Sequence, residues 1–421
     1  MFTSFSTALS ALSATSTAID VVGNNLANMN TPGFKTSAVA FRDLVTQSLG
    51  AGLGDTQVGF GTGRPLTVRQ FTQGALQTSS GLLDAAVQGD GFFVVHDAAG
   101  NTMYTRAGNF QTDSSGNLMT DTGGKVQGWT TIIAATGAVD TNGPLGDIVV
   151  PVGSLKPPVT STTMSADLNL NSNAASDSTS AFSEPVTVYD SLGTSHVLTI
   201  NFQKTGANQW SYDVTVPGKD VSGGTPGTPY DTGASGTLTF GSNGQLTDPA
   251  VGNPISIAVA GLADGAADMS ISWSLYNSSS AGRITQFGQP SQSSASAQNG
   301  SAAAELDHVG LADGGQILAQ YTDGTQVVVG QVALAQVRNP DTLIASGNNC
   351  FQLSARTANP SIGVPGTGGR GSIVGGSIEA STVDIASEFT NLIVYQRAYE
   401  ANAHVVTTAD TLSQDTINLI H

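Results

Sequence analysis

Apolar residues near the N-terminus recur every three or four positions, which is the spacing of one helix face. Its members are Phe2, Phe5, Leu9, Leu12, Ile19, Val22, Leu26 and Met29. In its first half the spacing is close to the heptad seam of a coiled coil. The other positions are mostly Ser, Thr and Ala, and Asp20 is the only charged side chain before Lys35. The pattern predicts a helix that ends near Asn30, before Pro32, and that packs closely against other helices.

A second stripe with helical spacing lies in the C-terminal segment, which has no proline from Ile385 onward. Its members are Ile385, Phe389, Leu392, Ile393, Tyr399, Ala403, Val406, Ala409, Leu412, Ile417 and Ile420. Each terminal stripe would form a helix of about 30 residues, on the order of 45 Å long. The two helices are predicted to pack together. The pattern by itself also allows two core helices of an ordinary soluble domain.

Between these helices the pattern changes to short runs with period-two alternation, separated by turn residues, which is typical of β-strands. Phe92 to Val95 has the pattern of a buried strand, Asp113 to Asn117 that of a hairpin turn, and Glu184 to Val216 that of several alternating strands. Phe41 to Leu49 resembles a short helix. The predicted fold class is mainly β with long α-helical termini. Nested β-domains are inserted between an N-terminal and a C-terminal helix that pack together.

Two changes of composition divide the β-rich part of the chain. Prolines accumulate from Val150 to Pro158, and Ser291 to Ser301 is rich in Ser, Ala and Gln, so both stretches are predicted linkers. The expected division is a terminal helical assembly domain (1–34 and 378–421), an inner, discontinuous β-rich domain (35–158 and 286–377) and an inserted outer β-domain (159–285), which is predicted to be a sandwich or barrel. Such nesting keeps both termini at one end.

Composition narrows the classes of partner. Charged residues make up only 11% of the chain and the net charge is −17. Neither nucleic acid nor an anionic membrane is therefore expected as a partner, since both attract basic surfaces. No run approaches the ~18 apolar residues of a membrane span, so membrane insertion is not predicted. The N-terminus lacks the basic and continuous apolar regions of a cleaved signal, which favours export without cleavage.

The search for catalytic or ligand-binding patterns yields no candidate residue. Gly366 to Gly371 matches G-x-G-x-x-G, but the stretch neither leaves a strand nor opens a helix. The turn at Asp113 lacks the further carboxylates of a calcium loop. The five histidines show no metal-ligand spacing. The single cysteine, Cys350, excludes an intramolecular disulfide and is expected to be a small buried apolar residue. The chain is therefore predicted not to be an enzyme and to have no cofactor or metal site.

Three stretches of the sequence resemble the bacterial flagellar rod and hook proteins, the axial family of the flagellum. They are Ala8 to Leu12 with Ile19 to Lys35 (which contains GNNLANMNTPGFK), Val87 to Val95 with Tyr104 to Phe110, and Gly376 to Asp384 with Phe389 to Asp410. The central part, with Tyr189 to Gly193 and Ile284 to Gly288, is similar to the outer domain of the hook members. The resemblance covers most of the chain, and at Cys350 it predicts a larger apolar residue.

The resemblance implies a structural subunit of the flagellar hook, which polymerises into a flexible curved helical tube between the basal-body rod and the filament and transmits motor torque. The implied partners are further copies of the chain, a hook cap scaffold, the distal rod and hook–filament junction proteins, and the flagellar export apparatus. The implied location is extracellular, at the hook and basal body of the bacterial flagellum.

On this interpretation the terminal helices provide the assembly interface. The residues predicted to form it are Phe2, Phe5, Leu9, Leu12, Ile19, Leu26, Phe389, Leu392, Tyr399, Val406, Leu412 and Ile420. Two other functions remain open at this point. A distal rod protein of the same family would share the terminal motifs, but the central module argues against it. A secreted adhesin-like binding module would share the acidic β-rich composition, but it has no need of matched terminal helices and would stay monomeric.

Overall fold

The computed structural model describes residues 2–44, 46–48, 57–133 and 136–418. These residues include two α-helices, α1 (Phe2–Ala27) and α2 (Ile385–Asn418), where the two apolar stripes predict them. α1 ends at Ala27 rather than near Asn30, and a turn over residues 28–30 leads to Pro32. The proline disfavours helical dihedrals in the residue before it, which explains why the helix stops in this region.

Thirty-two short β-strands lie between the helices in the described part of the chain, with four 3₁₀-helices at Ser178–Ser180, Gly218–Asp220, Asp313–Gly315 and Pro340–Thr342. The strands are β1 (Ser37–Ala40), β2 (Thr46–Ser48), β3 (Gln57–Gly59), β4 (Leu66–Arg69), β5 (Leu76–Thr78), β6 (Ala85–Gln88), β7 (Phe92–His96), β8 (Thr102–Thr105), β9 (Phe110–Thr112), β10 (Leu118–Thr120), β11 (Lys125–Trp129), β12 (Gly146–Asp147), β13 (Leu155–Lys156), β14 (Thr163–Asn171), β15 (Phe182–Tyr189), β16 (Ser195–Gly206), β17 (Gln209–Pro217), β18 (Pro229–Phe240), β19 (Leu246–Asp248), β20 (Ile255–Val259), β21 (Met269–Trp273), β22 (Ile284–Phe287), β23 (Gln292–Gln298), β24 (Ala304–Leu311), β25 (Gln316–Tyr321), β26 (Gln326–Val332), β27 (Leu334–Gln336), β28 (Ile344–Gly347), β29 (Cys350–Gln352), β30 (Ser361–Gly363), β31 (Ser372–Gly375) and β32 (Ser377–Glu379).

The chain forms two compact units. The first unit comprises Met1–Val152, Asp307–Gln320 and Gln326–His421, and the second comprises Gly153–Leu306 and Tyr321–Thr325. The second unit therefore interrupts the first in sequence. The predicted fold class is confirmed, because the chain is mainly β and the helices at its two ends pack on each other. The three-part domain division stays a prediction.

Antiparallel pairing dominates the first unit, whose main sheet contains the order β25-β26-β11-β7-β8-β29-β28. β7 is the buried strand predicted at Phe92 to Val95. Its alternate residues face opposite sides of the sheet, so Phe93 and Val95 belong to one apolar cluster, and Phe92 and Val94 to another. The predicted hairpin turn is also confirmed, since β9 and β10 pair across residues 113–117.

Two small antiparallel ladders hold together segments that lie near the two ends of the sequence. β5 pairs with β32, and β6 pairs with β31. Because β31 and β32 precede α2, the chain enters the C-terminal helix from a fixed position in the first unit.

The second unit contains two five-stranded sheets around one core. One sheet has the order β15-β16-β17-β18-β19, and the other has the order β20-β21-β14-β22, with β23 paired to β14. Trp210 of the first sheet and Trp273 of the second are fully buried in the same apolar cluster. Two sheets that share a core form a sandwich, as predicted. The alternation of buried and exposed residues along β15 and β16 is the period-two pattern seen in the sequence.

Two sequence predictions, one in each unit, are wrong. Phe41 to Leu49 is not helical in its described residues, because Asp43 bridges to Thr62 and β2 pairs with β3. Ser291 to Ser301 is not a linker, because it contains β23, which pairs with β14. In both cases pairing with another strand determines the conformation, which the local sequence does not reveal.

Candidate assembly interface

α1 and α2 pack against each other in opposite directions within the first unit. Near one end of the pair, Asn25 of α1 donates a hydrogen bond to Glu388 of α2. Near the other end, Ser4 lines a shallow pocket with Val405 and Leu412. The start of α1 therefore lies beside the end of α2.

The buried face of α1 consists of small side chains. Ala14, Ala18 and Val22 follow one another at four-residue spacing, and together with Ala8 they are at most 3% exposed. Because the distance between packed helices depends on the side chains at the contact, a face of this kind permits a close approach. The large apolar residues of the stripe therefore do not provide the main buried surface of α1.

Several of the predicted interface residues remain largely exposed in the helix pair. Those that are between 40% and 54% exposed are Phe5, Leu9, Phe389, Tyr399 and Leu412. Those that are half-buried are Leu12, Ile19, Leu26, Leu392 and Val406. The side chain of Phe2 and all of Ile420 lie outside the described part of the chain. The assembly role of the whole set stays a prediction.

α2 exposes further apolar residues that the predicted set omitted. Ile385, Ile393, Val394 and Val405 are between 45% and 58% exposed. Ile385 and Ile393 belong to the sequence stripe, whereas Val394 and Val405 lie beside stripe positions and have no periodic signal of their own. Several exposed large apolar residues on one helix are typical of an interaction site.

By length and composition alone, the helical segment Ser4–Ala27 could also cross a membrane. The sequence prediction concerned an uninterrupted apolar run, and Ser and Thr interrupt this segment. The segment meets the criterion because Ala, Val, Ile and Leu keep its mean hydropathy high. Core helices of soluble proteins and signal sequences meet the same criterion, so it does not assign a membrane role.

Asn25 connects the two helices to the strand that follows α1. Its Nδ2 donates to the carbonyl of Ser37 (2.8 Å) and to Oε1 of Glu388 (2.9 Å), and its Oδ1 accepts the backbone N–H of Ser37 (3.1 Å). Burial and the charge of Asp384 raise the pKa of Glu388, and the hydrogen bond from Asn25 opposes this increase. Asn25 thereby joins α1, β1 and α2 through one side-chain amide.

Three charged residues form a buried group in the same unit, which we call the Glu379 cluster. Nζ of Lys35 lies 2.6 Å from Oε1 of Glu379, and an Arg106 guanidinium nitrogen lies 3.3 Å from Oε2. All three side chains are at most 4% exposed. The backbone N–H of Gly74 donates to Oε1 of Glu379 (2.7 Å), and Lys35 donates to the carbonyl of Thr72 (2.6 Å). Burial lowers the pKa of Lys35, while the hydrogen bond and the charge of Glu379 oppose the decrease.

The Glu379 cluster accounts for one charged residue in each of the resembling stretches. Each of the three stretches contributes one member, namely Lys35, Arg106 and Glu379. Gly33 has a φ of +68°, and a Cβ there would lie 2.6 Å from backbone atoms of Arg106 and Ala107. Sequence reasoning missed the cluster because its pairs are 344 and 273 residues apart. The only local signal is a charged residue within each otherwise weakly charged motif.

A few other side chains carry groups that could bind a metal or react. In the described residues, Asp190, His196 and Asp264 place three potential metal ligands within 4.8 Å of one another. Sequence spacing missed this group because Asp264 lies on a distant turn. Cys350 is buried as predicted, and burial raises the pKa of its thiol, which disfavours the reactive thiolate. Gly366 to Gly371 is a loop between β30 and β31, as predicted.

Four family profiles match separate parts of the chain. They are "Flagella basal body rod protein" at residues 5–35, "Flagellar hook protein FlgE/F/G D1 domain" at 86–167, "Flagellar basal body protein FlaE D2 domain" at 158–301, and "Flagellar basal body rod FlgEFG protein C-terminal" at 374–419. The matched segments include both terminal helices and most of the second unit.

Relatives match over nearly the full length. The flagellar hook protein FlgE of Escherichia coli strain K12 is 32% identical over 99% of this chain and 99% of its own length. That of Treponema pallidum strain Nichols is 32% identical over 96% of each chain. The crystal structure of Helicobacter pylori flagellar hook protein FlgE2 has a TM-score of 0.51 at 14% identity, covering 71% of this chain and 99% of that one, which supports the fold. The alternatives of a distal rod protein and an adhesin-like module are not favoured. This chain belongs to the flagellar hook protein family.

Proposed function

We propose that this chain is a structural subunit of the bacterial flagellar hook and not an enzyme. Copies of it would polymerise through the terminal helices into a flexible, curved helical tube that links the basal-body rod to the filament and transmits motor torque. The observation that carries the proposal is the exposed apolar surface of α1 and α2 in a chain of the hook family.

The physical reason is that neighbouring copies can remove this surface from water. Burial of apolar area contributes about 25 cal/mol per Å². Asp20 is the only charged residue in α1, so little charge has to be desolvated when that helix is covered. Contacts between different surfaces of identical subunits do not have to close into a ring, and an unclosed repeat generates a helical array.

The further partners of the proposal are a hook cap scaffold, the distal rod and hook–filament junction proteins, and the flagellar export apparatus. The location of the assembled protein would be extracellular, at the hook and basal body. The proposal includes neither nucleic-acid binding nor membrane insertion. The net charge of −17 disfavours binding to nucleic acid. Family membership is the support for these partners.

The test uses Leu9→Asp and Phe389→Asp. Both side chains are more than half exposed in the subunit, at 54% and 52%, so a carboxylate there should leave the subunit fold intact. At a contact between copies the same carboxylate would be buried without a partner, at a cost of several kcal/mol. Each variant should be soluble with an unchanged circular dichroism spectrum, yet form no tubes in negative-stain electron micrographs under polymerising salt.

Two kinds of control separate the interface from general effects of substitution. Leu9→Met and Phe389→Leu conserve the apolar character and approximate volume, and should still form tubes. Ser115→Asp adds the same charge on an exposed turn of the first unit and should also form them. Normal tubes from both aspartate variants of the helices would refute the proposed interface.

A further inference from the structure

A buried histidine in the second unit lies among three carboxylates. The side chain of His196 is 5% exposed and belongs to β16. Asp190 follows β15, Asp220 ends the 3₁₀-helix Gly218–Asp220, and Asp264 lies in a turn after β20. We call these four residues the His196 cluster. Its members come from the β15–β16 hairpin and two further loops, all of them within the second unit.

The distances place a carboxylate at each nitrogen of the imidazole ring. Nε2 lies 3.0 Å from Oδ2 of Asp190, and Nδ1 lies 3.1 Å from Oδ2 of Asp220. Oδ2 of Asp264 lies 3.9 Å from Nε2. A neutral imidazole has one N–H and can donate to only one of these oxygens, which would leave a lone pair facing the other carboxylate. When Asp190 and Asp220 are both ionised, only the doubly protonated ring satisfies both contacts.

The charges around the ring favour the same protonation state. Burial would raise the pKa of Asp190, but hydrogen bonds from His196 and from the backbone N–H groups of Thr194 and Leu192 lower it. Burial would lower the pKa of His196, but hydrogen bonds to Asp190 and Asp220 and their charges raise it. In the described part of the chain, no Lys or Arg forms an ion pair with these three aspartates.

The cluster lies where loops from both sheets of the second unit meet. The N–H of Ala263 donates to the carbonyl of Asp220 (2.9 Å), and the N–H of Ala267 donates to Oγ of Ser191 (3.0 Å). Val221 and Leu262 form an isolated bridge between the same loops. His196 therefore connects the β15–β16 turn to the 3₁₀-helix and to the turn that contains Asp264.

We propose that His196 is a proton-dependent clamp, which in its doubly protonated form holds these loops together and stabilises the second unit. A histidine whose pKa is higher in the folded than in the unfolded chain stabilises the fold fully below its unfolded pKa of about 6.5. This contribution is lost as the pH rises through the folded pKa. The second unit should therefore be less stable in mildly alkaline solution than at pH 6.

The test measures the unfolding of the second unit in the full-length chain with Trp129→Phe. The remaining tryptophans, Trp210 and Trp273, are both fully buried in the second unit, so their fluorescence reports on it. Urea titrations from pH 6 to pH 9 should show the folding equilibrium constant falling by up to ~10-fold per pH unit, the limit for one linked proton. His196→Gln should remove this dependence. His308→Gln should retain it, because His308 is exposed and outside the second unit.

A second variant covers the case in which His196→Gln does not fold. Asp220 is 15% exposed, and Asp220→Asn removes one of the two carboxylates that bind the ring. The loss of stability should then occur at lower pH, because the imidazolium has lost a partner. An unchanged pH dependence in Asp220→Asn, or the same dependence in His196→Gln as in the parent, would overturn the clamp.

A metal site is the competing interpretation of the same residues. His and Asp are zinc ligands, and Asp190, His196 and Asp264 have the required proximity. Zn²⁺ added at pH 8 should leave the urea midpoint unchanged if the cluster binds a proton. A zinc-dependent increase that is lost in His196→Gln would overturn the proposal in favour of a metal site.

Discussion

At the scale of single residues, Glu379 is the buried carboxylate that pairs with two buried cations of the first unit. Glu379→Gln would leave Lys35 buried without an ion-pair partner, and would leave Arg106 with only the charge of Asp90 nearby. Removing one partner of a buried ion pair typically destabilises a protein by about 3–5 kcal/mol. The free energy of unfolding should fall by that order. Pulsed alkylation of Cys350, the single and buried cysteine, across a urea series reports the unfolding of this unit.

Glu400→Gln is the matched control for this substitution. Glu400 forms an ion pair with Arg397 on α2, in which both side chains are more than half exposed. Exposed pairs of this kind contribute little, so the urea midpoint for alkylation of Cys350 should barely move. Equal effects of the two substitutions would show that Glu379 has no special role in stability.

How far single residues can be predicted from the sequence depends on whether their partners are local. The burial of Phe92 to Val95 follows from an apolar run bounded by turn residues, and the structure confirms it. The partners of Lys35 could not be predicted, because no periodicity connects it with a residue 344 positions away. The same limit applies to His196, whose three carboxylates come from separate loops.

At the scale of elements, the small face of α1 determines how closely this helix packs in the first unit. Ala18 is fully buried, so Ala18→Leu would force extra carbons into a filled space at a cost of about 1–3 kcal/mol. Subtilisin should then remove α1 faster than from the parent chain while the strands of the first unit stay intact, and mass spectrometry of the fragments measures the rate. Ala401→Leu makes the same change at an exposed position of α2 and should leave the rate unchanged. If Ala18→Leu and the parent chain lose α1 at equal rates, Ala18 is not tightly packed.

The elements themselves were predictable where the sequence pattern is long and periodic. Both terminal helices and the alternating strands β15 and β16 are found where the pattern places them. The positions of the helices were predicted correctly, but the buried face of α1 was not. The small residues of α1 are buried and several large apolar ones are exposed. β23 was missed because Ser, Ala and Gln have no strand preference, and its conformation comes from pairing with β14.

At the scale of the whole molecule, the chain enters and leaves the second unit at neighbouring positions. Leu155 of β13 pairs with Glu305 of β24, and Lys156 pairs with Ala304. Further along, Val159 and Ser301 exchange backbone hydrogen bonds of 3.0 and 2.9 Å. An insertion whose two ends lie side by side can be removed without stretching the remaining chain.

The last prediction follows from this geometry. Residues 160–300 are replaced by a short Gly-containing turn that joins Val159 to Ser301, so that β13 and β24 become a hairpin. The shortened chain keeps α1, α2 and both apolar clusters of the first unit. The shortened chain should therefore fold, be exported and form a tube. We infer that the sandwich of the second unit provides contacts between copies that limit bending. Without these contacts, electron micrographs should show straight or irregular tubes where the full chain gives smoothly curved ones. If the shortened chain is unfolded, as rapid alkylation of Cys350 would reveal, the second unit is required for the first to fold. If its tubes have unchanged curvature, the second unit has no role in the shape of the hook.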